Sequence, residues 1–123
     1  MHSLDDTYAD HVAGLTKSGS DIKESLSAAD CYLIHMSMGV SGESGELLDA
    51  VKKHVIYRKP LDVLNVVEEL GDLEFYMEGL RQAIGVTRDD VLRANIAKLR
   101  KRYNGGYSDA AAKLRADKEG EAK

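Results

Sequence analysis

The sequence predicts an all-α fold, and three observations carry that prediction. Apolar residues recur every three or four positions along most of the 123 residues, the spacing that lines one face of a helix. Ala, Leu, Glu, Lys and Arg are abundant, against one Phe and no Trp, a balance that favours helix. Pro60 is the single proline, so little interrupts helical geometry.

The elements follow in order. Ser3-Leu4-Asp5-Asp6 reads as a capping box, in which the Ser hydroxyl meets the amide of Asp6. Leu4, Tyr8, Val12 and Leu15 then keep helical spacing until Lys17-Ser18-Gly19-Ser20 ends a short first helix. Ile22, Leu26, Ala29, Leu33 and Met36 form the core stripe of a second helix beginning near Ser20. Gly39-Val40-Ser41-Gly42 leaves two readings open: a break, or a small-residue passage through a continuing helix, since an isolated glycine costs only about 1 kcal/mol there. From Glu43 to about His54 the pattern is helical again, with Leu47 or Leu48, Val51 and Val55 inward and Glu43, Glu46, Ala50 and Lys53 on a neighbouring face. Tyr57-Arg58-Lys59-Pro60 is a stop, because proline turns the residue before it away from helical angles.

Val66, Leu70, Leu73, Met77, Leu80 and Ile84 give the next helix its apolar stripe. Glu69, Asp72 and Tyr76 precede members of that stripe by one residue, about 100° round the helix, and so flank the buried seam. Glu68, Glu74 and Glu78 read as solvated acids. Gly85 suits a helix stop, and Thr87 with Asp90 makes a second capping box. The last long helix buries Leu92, Ile96, Leu99 and Tyr103, with Asn95, Lys98 and Arg102 in the same one-residue offset that the acids show. After Asn104-Gly105-Gly106-Tyr107 comes a charged tail, helical or frayed.

Composition narrows the class. At this length, with 43% hydrophobic and 31% charged residues, one helical domain over residues 1–107 with a tail over 108–123 is expected. A formal net charge of −4 leaves no basic footprint for nucleic acid. Cys31 is the single cysteine; it excludes an intrachain disulfide, fits a reducing compartment and reads as a small buried hydrophobe. No apolar run is long enough to span a membrane and no signal-peptide pattern opens the chain, so the cytoplasm is the expected location.

Chemistry concentrates in two short motifs, Glu43-x-x-Glu46 and Glu69-x-x-Asp72. Residues three apart on a helix lie side by side, so each motif presents two adjacent carboxylates. Either alone is an ordinary charged face. Together they adjoin apolar stripes and hold Gly45 and Gly71 between the acids, where stability alone would choose alanine. If the helices pair, four carboxylates converge, which a cation must neutralise. Mg²⁺, a hard ion that prefers oxygen and is often shared with substrate phosphates, fits best. Lys98 and Arg102, with Asn95, are phosphate candidates, and Lys53 is a weaker one. Arg100 and Lys101 oppose the helix dipole. No Glu-x-x-His pair of a di-iron bundle is formed by these acids, and Ser41 and Ser44 have no evident base.

Glu43-x-x-Glu46, a spacer of some twenty residues, Glu68-Glu69-Leu70-Gly71-Asp72-Leu73, then Asn95-Ile96-Ala97-Lys98-Leu99 and Arg102-Tyr103 together resemble the MazG-like branch of the all-α nucleoside triphosphate pyrophosphohydrolases, over residues 37–103. The resemblance implies a bundle of four or five helices, active as a dimer or a dimer of dimers. It implies Mg²⁺, or Mn²⁺ in its place, held by Glu43, Glu46, Glu69 and Asp72, with water attacking the α-phosphorus of a (d)NTP to give monophosphate and pyrophosphate. Asn95, Lys98 and Arg102 would meet phosphates or metal-bound water, Tyr76 would border the nucleotide, and His35, Met38 and Ser41 would meet the base. Glu46 and Glu69 are the expected catalytic carboxylates, Glu46 as the base for water, and a purine such as dGTP or GTP is the expected substrate. Glu74-Phe75 departs from the apolar continuation common in relatives. Two rival readings are a non-catalytic helical interaction module and a pyrophosphohydrolase of a non-nucleotide, phosphoribosyl-type compound.

Overall fold

A computed structural model describes residues 3–118 of the chain. Among them all regular structure is helical: α1 (Leu4–Leu15), α2 (Gly19–Ser25), α3 (Ala28–Val55), α4 (Val63–Ile84), α5 (Arg88–Arg102), the short α6 (Asp109–Leu114) and a 3₁₀ turn, Ala116–Lys118. The all-α expectation holds. The chain divides into two compact units, residues 1–35 and 36–123, with the division inside α3.

In the first unit the capping box of Ser3 and Asp6 forms as expected, the Ser3 hydroxyl accepting from the Asp6 amide at 3.1 Å. The single helix expected from Ser20 to Met36 does not. Leu26 leaves helical geometry at ψ 124°, and Ser27 starts a new helix with its own reciprocal box. The Asp30 amide donates to the Ser27 hydroxyl at 3.0 Å, and the Ser27 amide to the Asp30 carboxylate at 2.9 Å. Local capping, which satisfies amides that a helix start leaves orphaned, outweighs the continuous apolar spacing. The expected core stripe of α1 stays uncovered, with Leu4, Tyr8, Val12 and Leu15 all exposed. Cys31 is exposed as well, not the buried hydrophobe expected.

In the second unit α3 continues through Gly39 and Gly42 without a break, settling the alternative the sequence left open. Its end is closed by the chain reversal at Arg58, φ 56°. That reversal lets the Lys59 amide donate to the Lys53 carbonyl at 3.2 Å, while His54 Nδ1–H donates to the Lys59 carbonyl at 2.8 Å. Asp62 caps α4 by accepting from the Asn65 amide at 3.0 Å. Gly85 ends α4 in the left-handed region, φ 73°, where a Cβ is costly. The Thr87 and Asp90 box opens α5. Glu74 and Glu78, expected to be merely solvated, both reach Arg81 at 3.7 and 2.7 Å, and Glu74 also reaches Arg88 at 4.0 Å across the α4–α5 turn.

α3 and α4 pair antiparallel, because successive contacts ascend one helix as they descend the other. Gly39 lies against Tyr76, Glu43 meets Glu69 and Asp72, and Ala50 and Lys53 line a recess with Asp62 and Asn65. The row Gly39, Glu43, Ala50, Lys53 therefore lies along the seam itself, not on a flank beside it, and Ala50 at 4% exposure is its most buried residue. Small and polar side chains let these backbones approach. Three large apolar side chains stay open: Leu48 and Phe75 are each 67% exposed and Leu64 is 77%. The stripe of α5, expected in a core, is also open at Leu92, Ile96 and Leu99. No helix among the described residues is long and apolar enough to cross a membrane.

Candidate metal centre

The acid-bearing turns of α3 and α4 face each other at mid-seam. Glu43, Glu69 and Asp72 each direct a carboxylate oxygen to a point where the three oxygens lie within 4.8 Å of one another. Glu43 and Glu69 are half-buried and Asp72 is exposed, so one side opens to solvent. Glu69 Oε2 is buried without a hydrogen-bond partner, although buried polar atoms are normally satisfied.

Electrostatics record the crowding. The Glu69 carboxyl is pushed up to about 7, first by its hydrogen bond to Glu43, then by burial, then by the charges of Glu43, Asp72 and Glu46. Without a cation, then, Glu69 keeps its proton to a higher pH than an ordinary carboxyl does. Three convergent carboxylates and an orphaned buried oxygen fit a hard divalent cation, which would take the place of that proton. Glu43, Glu69 and Asp72 would hold it. Glu46, expected as a fourth ligand, is exposed and stands outside the trio, though its charge still acts on Glu69.

The other expected site residues separate into places. Lys53 sits one turn beyond Ala50, paired with Asp49 at 3.0 Å and attracted by Glu46 and Asp62. It lines a recess of about 300 Å³ with Ala50, Lys59, Pro60, Asp62 and Asn65. Tyr76 packs on Gly39 at the other end of the trio. Met38 and Ser41 lie exposed on α3; Ser41 is two residues from Glu43, roughly 200° round the helix from it. His35 is exposed on α3 in the first unit. Asn95 and Lys98 are exposed along α5. Arg102 is turned to Asp117, donating from Nε and Nη2 at 2.7 and 3.2 Å to a carboxylate only 3% exposed.

Two residues of this seam, and Asp117 beside Arg102, were not singled out from the sequence. Gly39 continues the row of Glu43 and Glu46 one turn earlier, and Asn65 continues that of Glu69 and Asp72; the phase that found the acids could have found both. Asp117 carried no such signal.

Fold and site together define a class: an all-helical protein whose antiparallel helix pair holds a half-buried carboxylate trio suited to a divalent cation. The family of the MazG nucleotide pyrophosphohydrolase domain matches residues 34–106, nearly the stretch that carries the resemblance in the sequence. With more than half of the chain matched, the protein belongs to the MazG family, whose activity is nucleotide pyrophosphohydrolysis. No curated protein and no solved structure matches the chain.

Proposed function

We propose that the protein is a Mg²⁺-dependent nucleoside triphosphate pyrophosphohydrolase, converting a (d)NTP to (d)NMP and pyrophosphate. The observation that carries this is the convergence of the Glu43, Glu69 and Asp72 oxygens within 4.8 Å, one buried and unpartnered, in a chain of this family. Bound there, Mg²⁺ would neutralise charge on the phosphate oxygens and lower the pKa of water, and Mn²⁺ would serve similarly. Glu43, Glu69 and Asp72 would hold the cation. Glu46, beside the trio but outside it, accepts the proton of the attacking water, consistent with its exposure and its freedom from the trio. Glu69 would release its proton to solvent on binding the cation. Lys53 meets the departing pyrophosphate, supported by its place on the same seam. Asn95, Lys98 and Arg102 remain proposed phosphate contacts, Arg102 by exchanging Asp117 for phosphate. Tyr76 borders the nucleotide, with His35, Met38 and Ser41 proposed for the base, and a purine is the proposed preference.

We infer a homodimer or homotetramer from the open apolar side chains. Leu48, Leu64 and Phe75 are exposed together with the α5 stripe, and large exposed apolar surface marks an interaction face. The test of function is incubation with each dNTP and NTP plus Mg²⁺, followed by phosphorus NMR. Monophosphate and pyrophosphate are expected, and Asp72→Ala abolishes turnover while keeping the helical circular dichroism of the parent. Release of orthophosphate alone, or full activity in Asp72→Ala, overturns the reading.

A further inference from the structure

We propose that Gly39 is a positioning residue for the carboxylate trio: with no side chain, it leaves room for the Tyr76 ring against α3, and so permits the helix spacing at which Glu43, Glu69 and Asp72 converge. The inference rests on the metal reading above and extends it to a residue outside the acidic motifs.

A Cβ placed on Gly39 would collide with three ring carbons of Tyr76: Cγ, Cδ1 and Cε1. The ring is rigid and half-buried, with the Phe75 ring edge-on to it at 5.2 Å, so it cannot yield as a flexible chain end would. Gly42, Gly45 and Gly71, on the same two helices, have nothing within 4 Å of an added Cβ. The glycines between the acids therefore do not mark a close helix approach within the chain; Gly39 does.

Its position gives the contact leverage. Gly39 lies four residues before Glu43 on α3, and Tyr76 four residues after Asp72 on α4. The glycine–ring contact is thus one helical turn, about 5.4 Å, from the carboxylates on both helices at once. Helices are stiff over one turn, and packed interfaces shift rather than deform smoothly. A methyl at position 39 must either part the helices by on the order of 1 Å or evict the ring. Mg²⁺ requires near-octahedral oxygens at about 2.0–2.1 Å, whereas Ca²⁺ accepts looser shells at about 2.3–2.6 Å, so wider spacing should penalise Mg²⁺ more.

The experiment measures Mn²⁺ binding by electron paramagnetic resonance, with Mg²⁺ and Ca²⁺ competition, on the full chain and on Gly39→Ala, Gly42→Ala and Gly39→Ala/Tyr76→Ala. Gly39→Ala is expected to bind Mn²⁺ about tenfold more weakly, in the range typical of residues that orient metal ligands, and to lose more affinity for Mg²⁺ than for Ca²⁺. Gly42→Ala should match the parent, and the double variant should recover most of the loss. Parent-like binding by Gly39→Ala, or no recovery in the double variant, overturns the proposal while leaving the metal reading intact. Absence of Mn²⁺ binding by the parent overturns both. If Gly39→Ala fails to fold, the double variant decides: folding with near-parent affinity supports the spacing role, and failure to bind overturns it.

Discussion

Glu69 shows how one side chain reports the state of the site. Its carboxyl sits at about 7 in the folded protein against an ordinary value of 4.5. Folding therefore strengthens its hold on the proton, and the stability linked to it is complete below about 4.5 and is lost as pH rises through about 7. In EDTA, the melting temperature should fall from pH 5 to pH 8, and Glu69→Gln, which needs no proton, should flatten that fall. Mg²⁺ should raise the melting temperature most above pH 7, where the proton no longer competes with the cation. A flat parent profile in EDTA, or the same slope in Glu69→Gln, would count against the raised Glu69 carboxyl. Between α5 and the 3₁₀ turn, Arg102 holds the Asp117 carboxyl below its usual range. That contribution is present above the ordinary carboxylate value and fades as pH falls through the lowered one. Asp117→Asn should leave Arg102 with a weaker partner and speed amide exchange over the last turn of α5, measured by mass spectrometry.

Helix limits follow capping more closely than apolar periodicity. α1, α4 and α5 begin where a side-chain oxygen accepts from an amide of the first turn, at Ser3, Asp62 and Thr87. The break before α3 is made by Ser27 and Asp30, against an apolar stripe that runs straight through it. Ser27→Ala should cost about 1 kcal/mol, read from urea denaturation, and should fray the first turn of α3. An unchanged midpoint would mean that the break is imposed by packing and not by the cap.

For the molecule as a whole, the distribution of apolar side chains matters more than their number. Met36 and Ala50 are the buried hydrophobics among the described residues, at 5% and 4% exposure, while Leu48, Leu64 and Phe75 face outward. Burial of a large apolar side chain contributes about 1.5–3 kcal/mol, and these residues obtain little of it within one chain. Light scattering should therefore find a dimer or tetramer, and Leu48→Asp with Phe75→Asp should lower both the mass and the melting temperature. A monomeric parent of full stability would remove the assembly from the proposal.

Sequence alone determined helices α1, α4 and α5 and the two acidic pairs, because three-to-four-residue periodicity, caps and charge spacing are local properties that a helix displays wherever it packs. It also placed Glu69, Asp72 and Tyr76 on one face. Only the tertiary structure decided that this face lies against α3. It likewise decided that Glu46 stands apart from the trio, and that Gly39, not Gly45 or Gly71, is where the helices come close. The reason is physical: helical phase fixes which residues share a face, but which face meets which, and at what separation, depends on side-chain volumes contributed by both helices at once.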